Sequence, residues 1–224
     1  MRTRDVCRGD EARTLDDVLS RLKRRGCALL VTGCVGDDVS ARLTRRLLGS
    51  PAEQRRRLLV LSGADADRVA TRLPPGVAAS DPDVRVVDVT ATDRSTAVDT
   101  PRGAPSDASG PSAIEVLQVF TDALDALDDG DLDPSELRVA FDPLCPLLGR
   151  DDEASARFLR VTTALVRDAT GMGHFHLPVA DDSPRIDALG HWFDARIELR
   201  HRDGLDPEQR WHLPEYGTTP WVRL

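Results

Sequence analysis

The 224 residues, 40% of them apolar but only 4% aromatic, suit a single domain whose core is built from Leu, Val and Ala rather than stacked rings. A formal net charge of −8, from 38 acidic and 30 basic residues, works against non-specific nucleic-acid binding, and the short arginine clusters at 21–25 and 55–57 read as solvated helix faces. No stretch reaches the roughly 20 apolar residues of a membrane span, the charged start lacks the apolar core of a secretory signal, and four cysteines without a C-x-x-C pair fit free thiols in a reducing cytoplasm.

Residues 1–13 read as a polar tail, followed by one domain over 14–224. Thr14 opens a helix with the apolar stripe Leu15, Val18, Leu19 and Leu22, and Gly26 closes it. The run 27–32 (CALLVT) has the unbroken apolar character of a strand buried on both faces. A glycine-bearing loop at 33–38 and a helix at 39–48 follow. Strand 57–62 then precedes helix 64–73, which stops before Pro74-Pro75-Gly76, and strand 83–89 comes next.

Residues 91–111 lack periodicity and are rich in Asp, Ser, Thr, Pro and Gly, so a long mobile loop is expected there. Ser112 and Glu115 have capping-box spacing for the next helix. Strand 137–141 ends at Asp142, helix 151–169 leads to strand 173–179, and helix 183–193 leads to a hairpin formed by 194–200 and 210–213 around Asp203-Gly204. Residues 221–224 can add an edge strand. Strands alternating with helices predict an α/β fold: a mostly parallel sheet with helices on both faces and a C-terminal antiparallel hairpin.

The loop after the first strand carries the chemical question. A phosphate-binding loop reads G-x-x-x-x-G-K-[ST]: the glycines let backbone N–H groups wrap phosphates, the lysine neutralises them, and the hydroxyl binds magnesium. Here the segment is Gly33-Cys34-Val35-Gly36-Asp37-Asp38-Val39-Ser40. Gly33 and Ser40 match, but Asp38 stands at the second glycine position and Val39 at the lysine position. A carboxylate about 5 Å from a phosphate charge repels it by roughly 3 kcal/mol at an effective dielectric of 20. Arg42, one turn along the helix, is the candidate replacement cation. Asp142, at the end of an apolar strand, is placed like the aspartate that holds the magnesium water shell in an intact site.

The loop, the strand ending at Asp142 and the order of elements together resemble the RecA/KaiC-like P-loop ATPases over about residues 14–224, in particular an uncharacterised haloarchaeal KaiC-like group. The single lysine, Lys23, and the excess of Asp over Glu are similar to proteins of salt-in halophiles, although a high-GC genome also replaces Lys with Arg. The resemblance implies a vestigial nucleotide site at Gly33, Gly36, Ser40, Arg42 and Asp142. Relatives place glutamates after the second strand to activate water, where this chain has Ser62-Gly63-Ala64-Asp65. With these departures no catalytic residue and no cofactor is expected. The chain is expected to be a regulatory or protein-interaction module that binds a protein partner or itself. The alternative is a divergent ATP-binding protein or weak ATPase, with Ser40 and Asp142 holding magnesium.

Two further groups are candidates. His174 and His176 share one face of a strand and could, with His191 or Asp194, bind zinc, but the spacing does not demand a metal and none is expected. Trp192, Trp211 and Trp221 are expected to cover a sheet edge or core margin.

Overall fold

A computed structural model describes residues 6–90, 112–128, 130, 132–148, 152–214 and 216–224. Its strands are β1 (Cys27–Thr32), β2 (Arg56–Leu61), β3 (Val84–Asp88), β4 (Leu137–Asp142), β5 (Met172–Leu177), β6 (Ala195–Arg200), β7 (Glu208–Leu213), β8 (Gly217–Thr218) and β9 (Val222–Arg223). Its helices are α1 (Val6–Arg25), α2 (Asp37–Leu47), α3 (Ala66–Arg72), α4 (Ala113–Asp125), α5 (Asp152–Asp168) and α6 (Pro184–Gly190).

The strands form one sheet in the order β3-β2-β4-β5-β1-β6-β7-β8, with β9 also paired to β7. The first six strands of that order run parallel. β7 returns antiparallel to β6, and β8 and β9 run antiparallel to β7. The predicted α/β architecture with its terminal hairpin is therefore present. The expected edge strand at the C-terminus is β9, while the short β8 has no sequence signature. α1 starts at Val6, not at Thr14: no proline interrupts 6–13, so the helix continues through the stretch expected to be a tail. The predicted loop at 91–111 lies outside the described residues.

Alternation along the strands assigns the two faces. Ala28 and Leu30, Leu58 and Val60, Leu137, Val139 and Phe141, and Phe175 and Leu177 join one large cluster with α4 and α5. Phe141 stacks on Phe175 with ring centroids 4.9 Å apart, and Phe120 and Phe158 pack around it. Five phenylalanines thus suffice for a ring-filled centre on this face, despite the low aromatic content.

The opposite face is divided. One apolar cluster joins α1 and the first turns of α2 to β1, β6 and β7, and a second joins Leu48 and α3 to β2. Between them the strands send in Arg138, Asp142, His174 and His176, all buried. A polar seam through a core calls for internal partners, and those of Asp142 and His176 make up the site.

Candidate functional site

The seam ends at the carboxyl edge of the parallel strands, where ligands of open α/β sheets usually bind. Asp142 is the last residue of β4 and only 5% exposed. Arg72, the last residue of α3, is fully buried. Its Nε donates to Asp142 Oδ2 at 2.8 Å, and its Nη2 lies 2.7 Å from the same oxygen. The far side of the guanidinium grips Asp37: Nη1 donates to Oδ2 at 3.2 Å and Nη2 donates to Oδ1. The two parallel bonds to Asp37 form a bidentate fork.

Asp37 opens α2, and Asp38 follows it. Both carboxylates sit in the first turn, where the exposed N–H groups and the helix dipole favour negative charge. The chain thus provides its own anion at the start of α2 and its own cation against Asp142. Burial opposes the charge on Arg72, but its bonds to Asp37 and Asp142 overcome that cost and hold its pKa above the ordinary value. The hydrogen bond from Arg72 holds the Asp37 carboxyl below the usual range.

The loop's backbone is also engaged. Gly33 N–H donates to the Val179 carbonyl, Val35 N–H to Gly33, and the N–H groups of Val39 and Ser40 both donate to Gly36. Gly33 has φ +122°, and a Cβ there would lie 2.2 Å from the Leu199 carbonyl oxygen, so close approach of β6 demands glycine. Gly36 is the N-cap of α2 without a side-chain cap. Val39, at the lysine position, is 1% exposed and packs into the α1–α2 cluster. Arg42 is exposed, with no hydrogen bond or ion pair to the loop. Of the residues expected to form the site, Gly33, Gly36 and Ser40 line the loop and Asp142 meets it through Arg72, while Arg42 stands apart.

Below Asp142, His176 is fully enclosed, and its Nε2 lies 3.1 Å from Thr44 Oγ1 on α2. His174 lies one pleat earlier, 5.5 Å away between ring centroids, and its Nε2 is buried without a hydrogen-bond partner among the described residues. Burial lowers the pKa of both rings, His174 well below the ordinary value, with the neighbouring His176 and Arg138 adding to the effect. Both are neutral core groups. His191 is exposed, and Asp194 accepts from Ala28 N–H and from Arg167, so neither joins them in a metal set.

Among the described residues a different trio, Asp181, Glu198 and His212, brings potential ligand atoms within 4.8 Å of one another. Arg196 donates to Asp181, and Arg210 to Glu198 at 2.6 Å. The chain's own guanidiniums already neutralise these carboxylates, which makes the trio a salt-bridge network. The tryptophans do not gather into one patch: Trp192 packs at the α4–α5 cluster, Trp211 at the α1–α2 cluster, and Trp221 under Arg200 at 3.8 Å.

Arg72 is the residue that sequence reasoning missed. Its signal was an arginine beside Val69 and Leu73, on the apolar stripe of a helix that stops before Pro74. Asp65, weighed as a displaced water-activating acid, is the N-cap of α3 and accepts from Arg68 N–H at 2.8 Å.

A family model described only as a family of unknown function matches residues 26–199, the span from the turn before β1 almost to the end of β6. No curated protein matches the chain significantly.

Proposed function

The chain belongs to that family, DUF7504, and from its self-neutralised crevice we propose that it is a RecA/KaiC-like scaffold that has given up nucleotide hydrolysis and acts as a regulatory or protein-interaction module. The observation that carries this reading is the Arg72 guanidinium, clasped between Asp37 and Asp142 with no exposed surface. A nucleotide phosphate entering here would meet two carboxylates at the helix start, and a magnesium ion would have to displace a buried guanidinium from Asp142. The first step sets like charges against one another, a repulsion weakened by solvent because Asp37 is largely exposed; the second leaves the buried guanidinium without its Asp142 partner, a change worth several kcal/mol. The loop N–H groups of Gly33, Val35, Val39 and Ser40 already have carbonyl acceptors, which further supports the reading.

The alternative, a divergent ATP-binding protein using Ser40, Asp142 and Arg42, is weaker on the same geometry. Asp142 is already held by Arg72, and Arg42 is exposed away from the loop's contacts. Association is the activity that remains: RecA-type relatives assemble side by side, and this chain is proposed to pair with itself or with a protein partner.

The test is calorimetry of ATP and ADP with magnesium, run in low and in molar KCl on protein whose folding has been verified in each. No binding and no turnover is the expected result. Saturable nucleotide binding with phosphate release would sink the proposal and return attention to Ser40 and Asp142.

A further inference from the structure

The opposite end of the sheet holds a second feature that the crevice does not use. A cavity of about 560 Å³ opens between the C-terminal ends of α1 and α2 and the first residues of β1, β4 and β5. That volume is in the range of small-molecule sites. One wall is apolar, with Leu22, Leu29, Leu47, Met172 and Trp211. The other presents Lys23, Arg24, Arg46, Arg55 and Arg138 against, among the described residues, a single carboxylate, Glu53. Such a surplus of positive charge is notable in a chain of net charge −8.

Cations at helix C-termini complement the dipole, which accounts for Lys23, Arg24 and Arg46. It does not account for Arg138, which enters from a strand and is only 6% exposed. Arg138 donates to the carbonyls of Ser135 at 2.9 Å and Leu47 at 3.3 Å and contacts the Met172 sulfur, all of them neutral. Burial, reinforced by repulsion from Arg55, lowers its pKa to about 10. Arg55 spends its Nη groups on the Ser135 carbonyl and Glu53, while its Nε is buried without a hydrogen-bond partner among the described residues. A buried guanidinium without a matching anion is costly, and here Arg138, paired with no carboxylate among the described residues, lines a cavity with an apolar wall beside Arg55, whose charge is met by the largely exposed Glu53.

We propose that this cavity binds a small amphipathic organic phosphate, its head held by Arg138 and Arg55 and its apolar body lying against Leu22, Leu29 and Trp211. Phosphate is favoured over a monoanionic carboxylate because a dianion better matches several cations facing one acid.

The experiment is calorimetric titration of the full chain with phenyl phosphate, phenol and inorganic phosphate, with Trp fluorescence recorded in parallel. Phenyl phosphate should bind saturably and perturb the fluorescence, a signal that disappears in Trp211→Phe. Phenol should not bind, and inorganic phosphate should bind more weakly. Arg138→Gln and Arg55→Gln, each verified as folded by circular dichroism, should each weaken binding about tenfold or more, as for a lost hydrogen bond to a charged group. Arg55 sits at the cavity margin, so its variant serves if Arg138→Gln fails to fold. Absence of saturable binding by phenyl phosphate, or binding that Arg55→Gln leaves unchanged, overturns the site. Equal affinity for inorganic phosphate overturns the organic ligand in favour of a bare ion.

Discussion

Arg72 donates to Asp142 across 2.8 Å although the two residues are 70 positions apart, one ending α3 and the other ending β4. The bond closes the carboxyl edge of the sheet from inside and links helix, loop and strand through one guanidinium. Asp37 completes the cluster from the exposed side, with its own side chain 62% accessible.

Replacing Arg72 with Met leaves Asp142 buried and without its ionic partner, the costly way to break a buried pair. The expected loss is about 3–5 kcal/mol in urea denaturation at neutral pH. Most of that loss belongs to Asp142, because the largely exposed Asp37 is screened by solvent. The double variant Arg72→Met, Asp142→Asn should recover a substantial part, and simple additivity of the two single variants would show that the pair is not coupled.

Placing at position 39 the lysine that a P-loop would carry should not create a nucleotide site. Val39 is 1% exposed in the α1–α2 cluster, so Val39→Lys, alone or with Asp38→Gly, places an ammonium among leucines. The expected outcome is a lower denaturation midpoint with no gain of ATP affinity by calorimetry. A stable variant that binds ATP would mean that the helix can turn this side chain to the crevice.

Gly33→Ala should destabilise the fold by about 2 kcal/mol or more, since strain at positive φ adds to a clash with backbone. The measurement is the shift in urea midpoint at constant slope. Arg42→Ala, on an exposed helix position, should stay within about 0.5 kcal/mol of the parent.

Stability should fall with acid in two stages. His174 and His176 have folded pKa values below the ordinary 6.5, so the unfolded chain takes up protons first and stability drops as pH falls below about 6.5. His174→Leu should flatten this stage. Asp37, Asp88 and Asp181 have folded values below the ordinary 3.8. For Asp37 the cause is the bond from Arg72. For Asp88 burial is outweighed by bonds from Thr90, Ala64 and Gly63, and for Asp181 it is outweighed by Arg196. Their contribution is intact above that value and is lost as pH falls through the folded pKa. Urea midpoints measured from pH 8 to pH 3 would show both stages, and a flat profile between 7 and 5 would contradict the histidine assignment.

Much of the sheet was legible because strand runs such as CALLVT and RVAFD carry their burial in their composition. The capping box at Ser112 and Glu115 forms as its spacing predicts, with Ser112 N–H donating to Glu115 and Glu115 N–H donating to Ser112 Oγ. The start of α1 was not legible, since Thr14 looked like a cap and no local signal distinguishes a cap from an interior threonine. Asp142 was singled out at the end of its strand, but the cation for the loop was sought one turn along α2, at Arg42, because a motif directs attention to nearby residues; the guanidinium that meets Asp142 is Arg72.

The sequence by itself determined the mostly parallel sheet and the terminal hairpin, which rest on local periodicity and on residue types at fixed spacing. Only the tertiary structure decided what neutralises the crevice. Arg72, Asp37 and Asp142 lie on three separate elements, and the order β3-β2-β4-β5-β1 brings them together. The same holds for the cationic cavity, whose Arg55 and Arg138 are 83 residues apart and meet only because β2 and β4 are neighbours with Arg57 opposite Arg138. Long-range charge compensation leaves no mark on local pattern, because each partner must satisfy only a distant group.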